Sequence, residues 1–216
     1  MKGLSEEFDG TPLGCGASAG FHESQARLWE NIVGRGYSFW EYWYPVLRKT
    51  FPGSYADVSL DDFYAAINRV GRSLIRTDDV EVAYNLHIVL RFDRELEMLE
   101  GRLNAKDLPD AWRARMLEEL GIEPDTDREG CLQDVHWYAG HIGGAFQGYT
   151  IGNVLGARFY EIALQAHPDI PQQLTRGDYS QVLEWLRAEV FQHGRRYQPN
   201  ELSSLRQGNR YISSLT

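Results

Sequence analysis

Helical periodicity of the apolar residues is the feature that most constrains the fold of this chain. In three stretches, 23–33, 63–70 and 83–99, apolar side chains recur at spacings of three and four. This spacing places them on one face of an α-helix rather than on one face of a strand. No two segments combine an alternating pattern with a tight turn strongly enough to compete. The sequence therefore predicts a mainly α fold.

Capping residues, glycine and proline set the predicted ends of the helices. Ser59 with Asp62 resembles a capping box, and Gly121 and Gly194 suit the ends of two helices. The aromatic segment 37–51 is predicted to be mostly helical and mostly buried, with Pro45 in its first turn or at a kink. Residues 1–21 are predicted to be irregular, and the glycine-rich stretch 140–152 has room for one short hairpin. The predicted helices are 23–33, 37–51, 59–70, 79–100, 112–120, 152–166 and 180–192.

Length and composition predict one helical domain. The chain has 216 residues, 43% of them hydrophobic, which is enough for one core without disulfides or structural metals. We therefore expect a single helical domain over residues 1–197, followed by a polar tail over residues 198–216.

The charge and the termini of the sequence exclude several classes of partner. A net charge of -9 repels nucleic acid and anionic lipid, so neither nucleic acid nor a membrane is an expected partner. The two cysteines, Cys15 and Cys131, cannot build a disulfide framework. No signal peptide or membrane-spanning stretch is evident. The expected location is the cytoplasm.

The first candidate residue is Glu23, in the word His22-Glu23-Ser24-Gln25 near the start of a predicted helix. A carboxylate at this place can point into a cleft. The alternative is structural, because the helix dipole alone favours a glutamate in a first turn. On spacing alone, the structural interpretation is the stronger.

The second candidate is Arg76, which follows Ile75 just ahead of the longest predicted helix. An arginine can bind a carboxylate through two parallel hydrogen bonds. The alternative, which the position favours, is an ordinary solvated arginine near a helix start.

The third candidate is the segment from Gly130 to Trp137, which contains Gln133, Asp134 and His136. It gathers an amide, a carboxylate, an imidazole and an indole within five residues, beside a glycine-rich loop. Such density is typical of a site. Functional and structural interpretations are equally supported here.

The histidines of this chain are too far apart to supply the usual helical zinc pair. A zinc hydrolase needs about three protein ligands, and the common helical source of two is a pair of histidines four residues apart. The closest two of the six histidines, His136 and His141, are five apart. On a helix they would be turned about 140° from each other.

Five separated words together resemble the Taq-type (thermostable) zinc metallocarboxypeptidases in order and spacing. The resemblance runs from about Gly3 to Tyr197 and covers the carboxyl-terminal part of that family only, without its His-Glu-x-x-His segment. It implies a mainly helical, cytoplasmic and typically homodimeric enzyme that uses zinc or cobalt to remove carboxyl-terminal residues from peptides. The words are 10–14, 22–31, 75–76, 84–92 and 130–137.

The same resemblance implies roles for individual residues. Glu23 would be the remaining ligand of an incomplete zinc or cobalt site. Arg76 would hold the terminal carboxylate of the peptide, and His136 would donate a hydrogen bond to the substrate or the tetrahedral intermediate. Gln133 and Asp134 would belong to the substrate-binding part and orient His136. One further residue is implied, namely Tyr149, which would stabilise the oxyanion.

Three functions remain open. The chain could be one half of a split or truncated carboxypeptidase, inactive until an amino-terminal partner fragment docks. It could be a peptide-binding pseudoenzyme that keeps Arg76, or a structural helical domain. The intact words 22–31 and 133–137 favour the first. Peptide carboxyl termini, an amino-terminal fragment and a second copy of the chain are the expected partners.

Overall fold

A computed structural model describes residues 3–79, 82–138 and 146–204. The chain is mainly helical, which confirms the predicted fold class. It divides into two compact units, the first formed by residues 1–64 with 151–216 and the second by residues 65–150. The α-helices are α1 Ala19–Arg27, α2 Tyr37–Thr50, α3 Pro52–Tyr55, α4 Leu60–Ile67, α5 Val82–Leu99, α6 Leu108–Leu120, α7 Val135–Tyr138, α8 Gln147–Ala166, α9 Ile170–Leu174, α10 Ser180–Glu189 and α11 Pro199–Ser204.

The first long helix begins earlier and ends differently from the prediction. The Ser18 hydroxyl caps α1 by accepting a hydrogen bond from the Phe21 backbone N–H at 3.2 Å, which satisfies one of the free donors of a helix start. After Arg27 the helix widens into a π-helix over Leu28–Val33. π-Helical turns are rare and often lie at functional sites.

The aromatic helix α2 is helical as predicted, but the prediction that it is mostly buried is wrong. Within Tyr37–Thr50, only Tyr44 is fully buried. Tyr37, Tyr42 and Trp43 remain exposed. Pro45 lies inside the helix rather than in its first turn. Aromatic density alone therefore did not indicate which face is covered.

The core of the first unit is built from α1, the π-helix, α8, α9 and α10. Phe21 packs against Phe159 with ring centroids 5.6 Å apart, a distance at which aromatic pairs attract each other. Their packing brings α1 and α8 together, which fixes the backbone around Glu23. The buried members of this core are Phe21, Leu28, Val33, Leu155, Phe159, Ala163, Ile170, Leu174, Val182, Trp185, Leu186 and Val190.

The second unit is centred on α5 and α6. Its apolar core joins Leu90 of α5 to Trp112 and Met116 of α6. Gly121 ends α6, as the sequence predicted, and it does so in the left-handed conformation, with φ 66°. The apolar stripe predicted along α5 is buried only in part. Ala83 and Leu90 are buried, whereas Phe92, Leu96 and Leu99 are exposed. Polar side chains occupy part of the buried face instead.

The glycine-rich stretch 140–152 differs from the prediction where the structure describes it. Residues 147–152 are helical, so a hairpin there is wrong, and residues 139–145 lie outside the described residues. α8 consequently begins at Gln147, five residues before the predicted start. A single domain over residues 1–197 stays a prediction. Within the described residues, none of the helices is both long and apolar enough to span a membrane.

Candidate functional site

A buried ion pair between Arg76 and Asp134 forms the centre of the candidate site in the second unit. Arg76 Nε donates to Asp134 Oδ2 at 2.5 Å, and Arg76 Nη1 donates to the Tyr84 hydroxyl at 2.8 Å. Only 5% of the Arg76 side chain and 8% of the Asp134 side chain are exposed. The alternative of an ordinary solvated arginine at position 76 is therefore wrong.

Arg91, on α5, is a second cation at the same carboxylate. Its Nε lies 3.2 Å from Asp134 Oδ2. The two groups form an ion pair, but the N–H makes no hydrogen bond. Its Nη1 donates to the His87 backbone carbonyl at 2.9 Å. Burial, only partly offset by the charge of Asp134, lowers the pKa of Arg91 to about 10.

The Asp134 carboxylate is held in its charged form. Burial acts to raise its pKa, but the hydrogen bond from Arg76 and the charges of Arg76 and Arg91 outweigh burial, and the pKa is lowered overall. The segment 130–137 therefore supplies a carboxylate whose charged form is favoured by two arginines.

His136 is the exposed end of this cluster. Its Nδ1 lies 3.1 Å from Asp134 Oδ1, and 63% of its side chain is exposed. Asp134 Oδ1 also accepts a hydrogen bond from the His136 backbone N–H at 3.3 Å, at the start of the short helix α7. The imidazole therefore presents its other nitrogen, Nε2, to the surroundings.

Gln133 ties together the two loops that carry the ion pair. Its Nε2 donates to the backbone carbonyls of Leu74 at 2.6 Å and Glu129 at 2.7 Å. Its Oε1 accepts from the Arg76 backbone N–H at 3.2 Å. These bonds fix the position of Arg76 relative to Asp134. Gln133 therefore orders the cluster by binding its backbone groups.

Aromatic rings surround the Arg76 guanidinium. Its Cζ lies 5.4 Å from the centroids of the Tyr84 and Phe146 rings and 5.2 Å from that of Tyr149. Ring faces attract a cation at these distances, and the attraction increases where water is excluded. Tyr149, implied as an oxyanion stabiliser, is thus brought beside Arg76 with Gln133, Asp134 and His136.

Two buried polar residues of the cluster, His87 and Arg91, were not predicted as site residues from the sequence. His87 is fully buried, and its Nε2 lies 2.7 Å from Asp79 Oδ2 and 3.1 Å from the Ser73 carbonyl. Burial and the charge of Arg91 lower the pKa of His87 to about 4. Burial also raises the pKa of Asp79. A usable signal was present: His87 and Arg91 follow Ala83 at intervals of four, on the buried face of α5.

In the first unit, Glu23 is held by its own helix. Its Oε1 accepts a hydrogen bond from Arg27 Nε, one turn later, at 3.1 Å, and the Arg27 Nη1 lies 3.6 Å from Glu30 Oε2. The Glu23 side chain is 20% exposed. A half-buried carboxylate with one oxygen held by arginine is a suitable metal ligand or a structural ion pair.

Close approach of α8 also fixes the position of Glu23. A Cβ added at Gly152 would lie 2.7 Å from Glu23 Cγ and 2.8 Å from Glu23 Cβ, and one added at Gly156 would lie 2.8 Å from the Ser24 carbonyl oxygen. No side chain fits at these distances. The two glycines, four residues apart, allow the two helix backbones to meet at the word 22–25.

We expect Gly152→Ala to lower the free energy of unfolding by about 1–3 kcal/mol, because the added methyl group overlaps the Glu23 side chain and the helices must separate. The measurement is urea-induced unfolding followed by circular dichroism. Gly53→Ala is the matched control. It lies in α3 with open space around it, so the same substitution should be neutral or stabilising by up to about 1 kcal/mol. Equal effects of both substitutions would contradict this account of the helix contact.

The described residues do not bring together three side chains able to hold a metal ion. Glu23 has an exposed histidine, His22, as its neighbour in sequence, but one carboxylate falls short of the roughly three protein ligands of a catalytic zinc. The part of the chain that the structure describes therefore does not fit a complete metal centre.

The chain is similar to known proteins in family, in sequence and in structure. Residues 1–214 match the carboxypeptidase Taq (M32) metallopeptidase family. Thermostable carboxypeptidase 1 of Thermus thermophilus is 43% identical over 201 residues, which are 93% of this chain and 39% of that protein. Carboxypeptidase 1 of Bacillus subtilis is 37% identical over 201 residues, with shares of 93% and 40%.

Solved structures agree with these matches. The M32 carboxypeptidase from Deinococcus radiodurans R1 is 52% identical, with a TM-score of 0.90, over 96% of this chain and 42% of that one. The carboxypeptidase of Pyrococcus furiosus is 40% identical, with a TM-score of 0.89, over 95% and 41%. The chain spans about two fifths of the length of the relatives that it matches.

Proposed function

The chain belongs to the carboxypeptidase Taq (M32) metallopeptidase family, and we propose that it supplies the substrate-carboxylate cluster and one metal ligand of a metallocarboxypeptidase without being active alone. The observation that carries this proposal is the incomplete ligand set. Glu23 is the carboxylate that the family motif assigns to the metal, and it belongs to no group of three or more possible metal ligands within the described residues.

The metal in this proposal is zinc or cobalt, the ions that the resemblance implies. Such an ion would supply Lewis-acid chemistry for the scissile carbonyl and a lower pKa for water bound to it. Glu23 would be its ligand from this chain, and Arg27 would orient the carboxylate through the bond to Oε1. Two histidine ligands and the general-base glutamate would come from a second segment that bears His-Glu-x-x-His.

The substrate side of the proposal rests on the second unit. A peptide carboxylate would be held by Arg76, the less deeply buried of the two arginines that face Asp134. His136, the exposed end, would donate a hydrogen bond to the peptide or to the tetrahedral intermediate. Tyr149 would stand beside Arg76 and help to stabilise the oxyanion.

The proposed partners follow from these roles. Peptide carboxyl termini are the substrate class, the amino-terminal part of the family fold is the completing partner, and homodimer formation is the proposed assembly. Nucleic acid and membranes are not proposed partners, given the net charge of -9. The cytoplasm is the proposed location.

Co-expression tests the proposal. The chain is expressed alone and together with a fragment of a family member that bears His-Glu-x-x-His, and release of the terminal residue from a blocked dipeptide is measured with zinc or cobalt. We expect no release by the chain alone and chelator-sensitive release by the complex. This result follows because the complex restores the ligand count.

Two variants sharpen this experiment. Glu23→Ala should abolish activity of the complex, because it removes the third ligand. Glu161→Ala, which removes a surface carboxylate paired with Arg158, should leave the activity unchanged. A stable, metal-loaded complex without activity would contradict the proposal and favour a peptide-binding pseudoenzyme. Chelator-sensitive activity of the chain alone would contradict the claim that it is inactive by itself.

A further inference from the structure

Arg91 has no role in the proposed reaction, yet it is the most deeply buried cation near Asp134. Its side chain is fully buried. One of its nitrogens donates to the His87 carbonyl, and its guanidinium lies 4.9 Å from the Trp112 ring and 5.6 Å from the Phe146 ring. Burying a cation in this way is costly unless a counter-charge is near. Among the described residues, the carboxylate at ion-pair distance is that of Asp134.

The two oxygens of Asp134 serve different partners. Oδ2 faces both Arg76 and Arg91, at 2.5 Å and 3.2 Å. Oδ1 faces the backbone N–H and the Nδ1 of His136, at 3.3 Å and 3.1 Å. Because two cations hold Oδ2, the carboxylate cannot rotate without losing an ion pair. Its other oxygen is therefore kept against the imidazole.

We propose that Arg91 is a positioning residue for His136: it holds the Asp134 carboxylate in place, and this carboxylate fixes the neutral imidazole in the tautomer that carries its proton on Nδ1. The reason is donor chemistry. A carboxylate only accepts hydrogen bonds, so the nitrogen that faces it must carry the hydrogen. Free neutral imidazoles in water prefer the proton on Nε2. The inferred tautomer is therefore the one that is less populated in water.

The inferred tautomer determines what His136 offers to a peptide. Neutral His136 presents an unprotonated Nε2 as an acceptor or base, so the hydrogen bond that His136 is proposed to donate comes from its protonated form, which presents an Nε2–H. In both forms the same nitrogen points outward, because Nδ1 stays bound to Asp134. This inference rests on the role proposed for His136, and it adds Arg91 as the residue behind it.

Nuclear magnetic resonance tests the tautomer directly. The chain is labelled with 15N-histidine, and long-range 1H–15N spectra are recorded well above the ordinary histidine pKa of about 6.5, with His136→Asn used to assign the signals. In the wild-type chain we expect the Nδ1–H tautomer to be favoured by about tenfold or more, as a hydrogen bond to a charged group would give.

Removal of Arg91 should loosen this preference. Arg91→Met keeps the length of the side chain but removes the charge, and we expect the tautomer ratio of His136 to shift towards Nε2–H by several-fold. Arg94→Met is the matched control, since Arg94 lies on the same helix and pairs with Glu97 at 2.9 Å. It should leave the ratio unchanged.

Each result of these measurements either supports or overturns the inference. An Nε2–H tautomer in the wild type, or a folded Arg91→Met chain with an unchanged ratio, would overturn the inference. Should Arg91→Met not fold, Arg91→Lys decides: it keeps the charge but cannot contact Asp134 and the His87 carbonyl together, so the ratio must fall, and an unchanged ratio overturns the inference. Neither metal nor peptide nor partner is needed, so an inactive complex does not affect this result, and a negative result here leaves the proposed function intact.

Discussion

Replacing Asp134 with alanine is expected to lower the free energy of unfolding by about 3–5 kcal/mol, because breaking a buried ion pair leaves an uncompensated charge inside the protein. Here the loss leaves two such charges. Arg76 and Arg91 are 5% and 0% exposed, and both face Asp134 Oδ2. The expected change is measured by urea unfolding at neutral pH, where the lowered pKa keeps Asp134 ionised.

The control for this prediction is a carboxylate with an arginine partner at the surface. Asp110 lies 3.0 Å from Arg113 and is 91% exposed, and exposed pairs contribute about 0–1 kcal/mol. Asp110→Ala should therefore change stability by less than about 1 kcal/mol. Comparable losses for both variants would mean that Asp134 is not acting through burial.

A double variant tests the cause of the effect. Arg91→Met combined with Asp134→Ala removes one stranded cation along with the anion, and Met restores apolar volume. We expect the double variant to be more stable than Asp134→Ala alone, since replacing ionic groups by apolar ones can be neutral or favourable. If Arg91→Met adds further destabilisation to Asp134→Ala, the stranded-charge explanation is wrong.

Helices were predictable from this sequence because local spacing reports them. Apolar residues at intervals of three and four place α5 within a few residues of its observed bounds, and glycine at position 121 marks the end of α6. What spacing does not report is which face a neighbour covers. The exposed rings of Tyr42 and Trp43, and the exposed Phe92 of α5, depend on tertiary packing that no local pattern contains.

Part of the candidate site could also be predicted. The density of polar groups around Asp134 and His136 was visible in the sequence, and the structure brings them together with Arg76. Residue type alone does not predict the burial of Arg91 and His87, because arginine and histidine on a helix usually face solvent, and only their spacing from Ala83 indicated it. Arg91 is tolerated inside because a carboxylate 43 residues further along the chain folds back against it, and His87 is tolerated because the Asp79 carboxylate lies against its ring.

Stability should fall as the pH drops from about 7.5 to about 5, and His87 should cause a large part of the loss. His87 is fully buried, and its Nδ1 faces Arg91 Nη1 at 3.3 Å. A second proton, added at Nδ1, would therefore lie beside the positive charge of Arg91. The pKa of His87 is about 4 in the folded chain, against about 6.5 in an unfolded chain. The two values define the window in which the folded and unfolded states bind different numbers of protons.

The sign of the effect follows from linkage. Above about pH 6.5 both states are neutral at His87, and its contribution to stability is fully present. As the pH falls, the unfolded chain binds a proton while the folded chain does not until about pH 4, so stability is lost, by about 2 kcal/mol at pH 5 and at most about 3 kcal/mol below it. The raised pKa of Asp79 acts in the opposite direction and reduces the observed loss.

A substitution at His87 isolates this contribution. His87→Gln keeps a donor for Asp79 but does not titrate, so its free energy of unfolding should change less between about pH 7.5 and about pH 5 than that of the wild type, by about 1–2 kcal/mol. His22→Gln, at an exposed position, should retain the wild-type slope, because it leaves the buried His87 and its partners unchanged. The measurement is urea unfolding across this pH range. Parallel curves for wild type and His87→Gln would show that His87 is not held neutral by its burial.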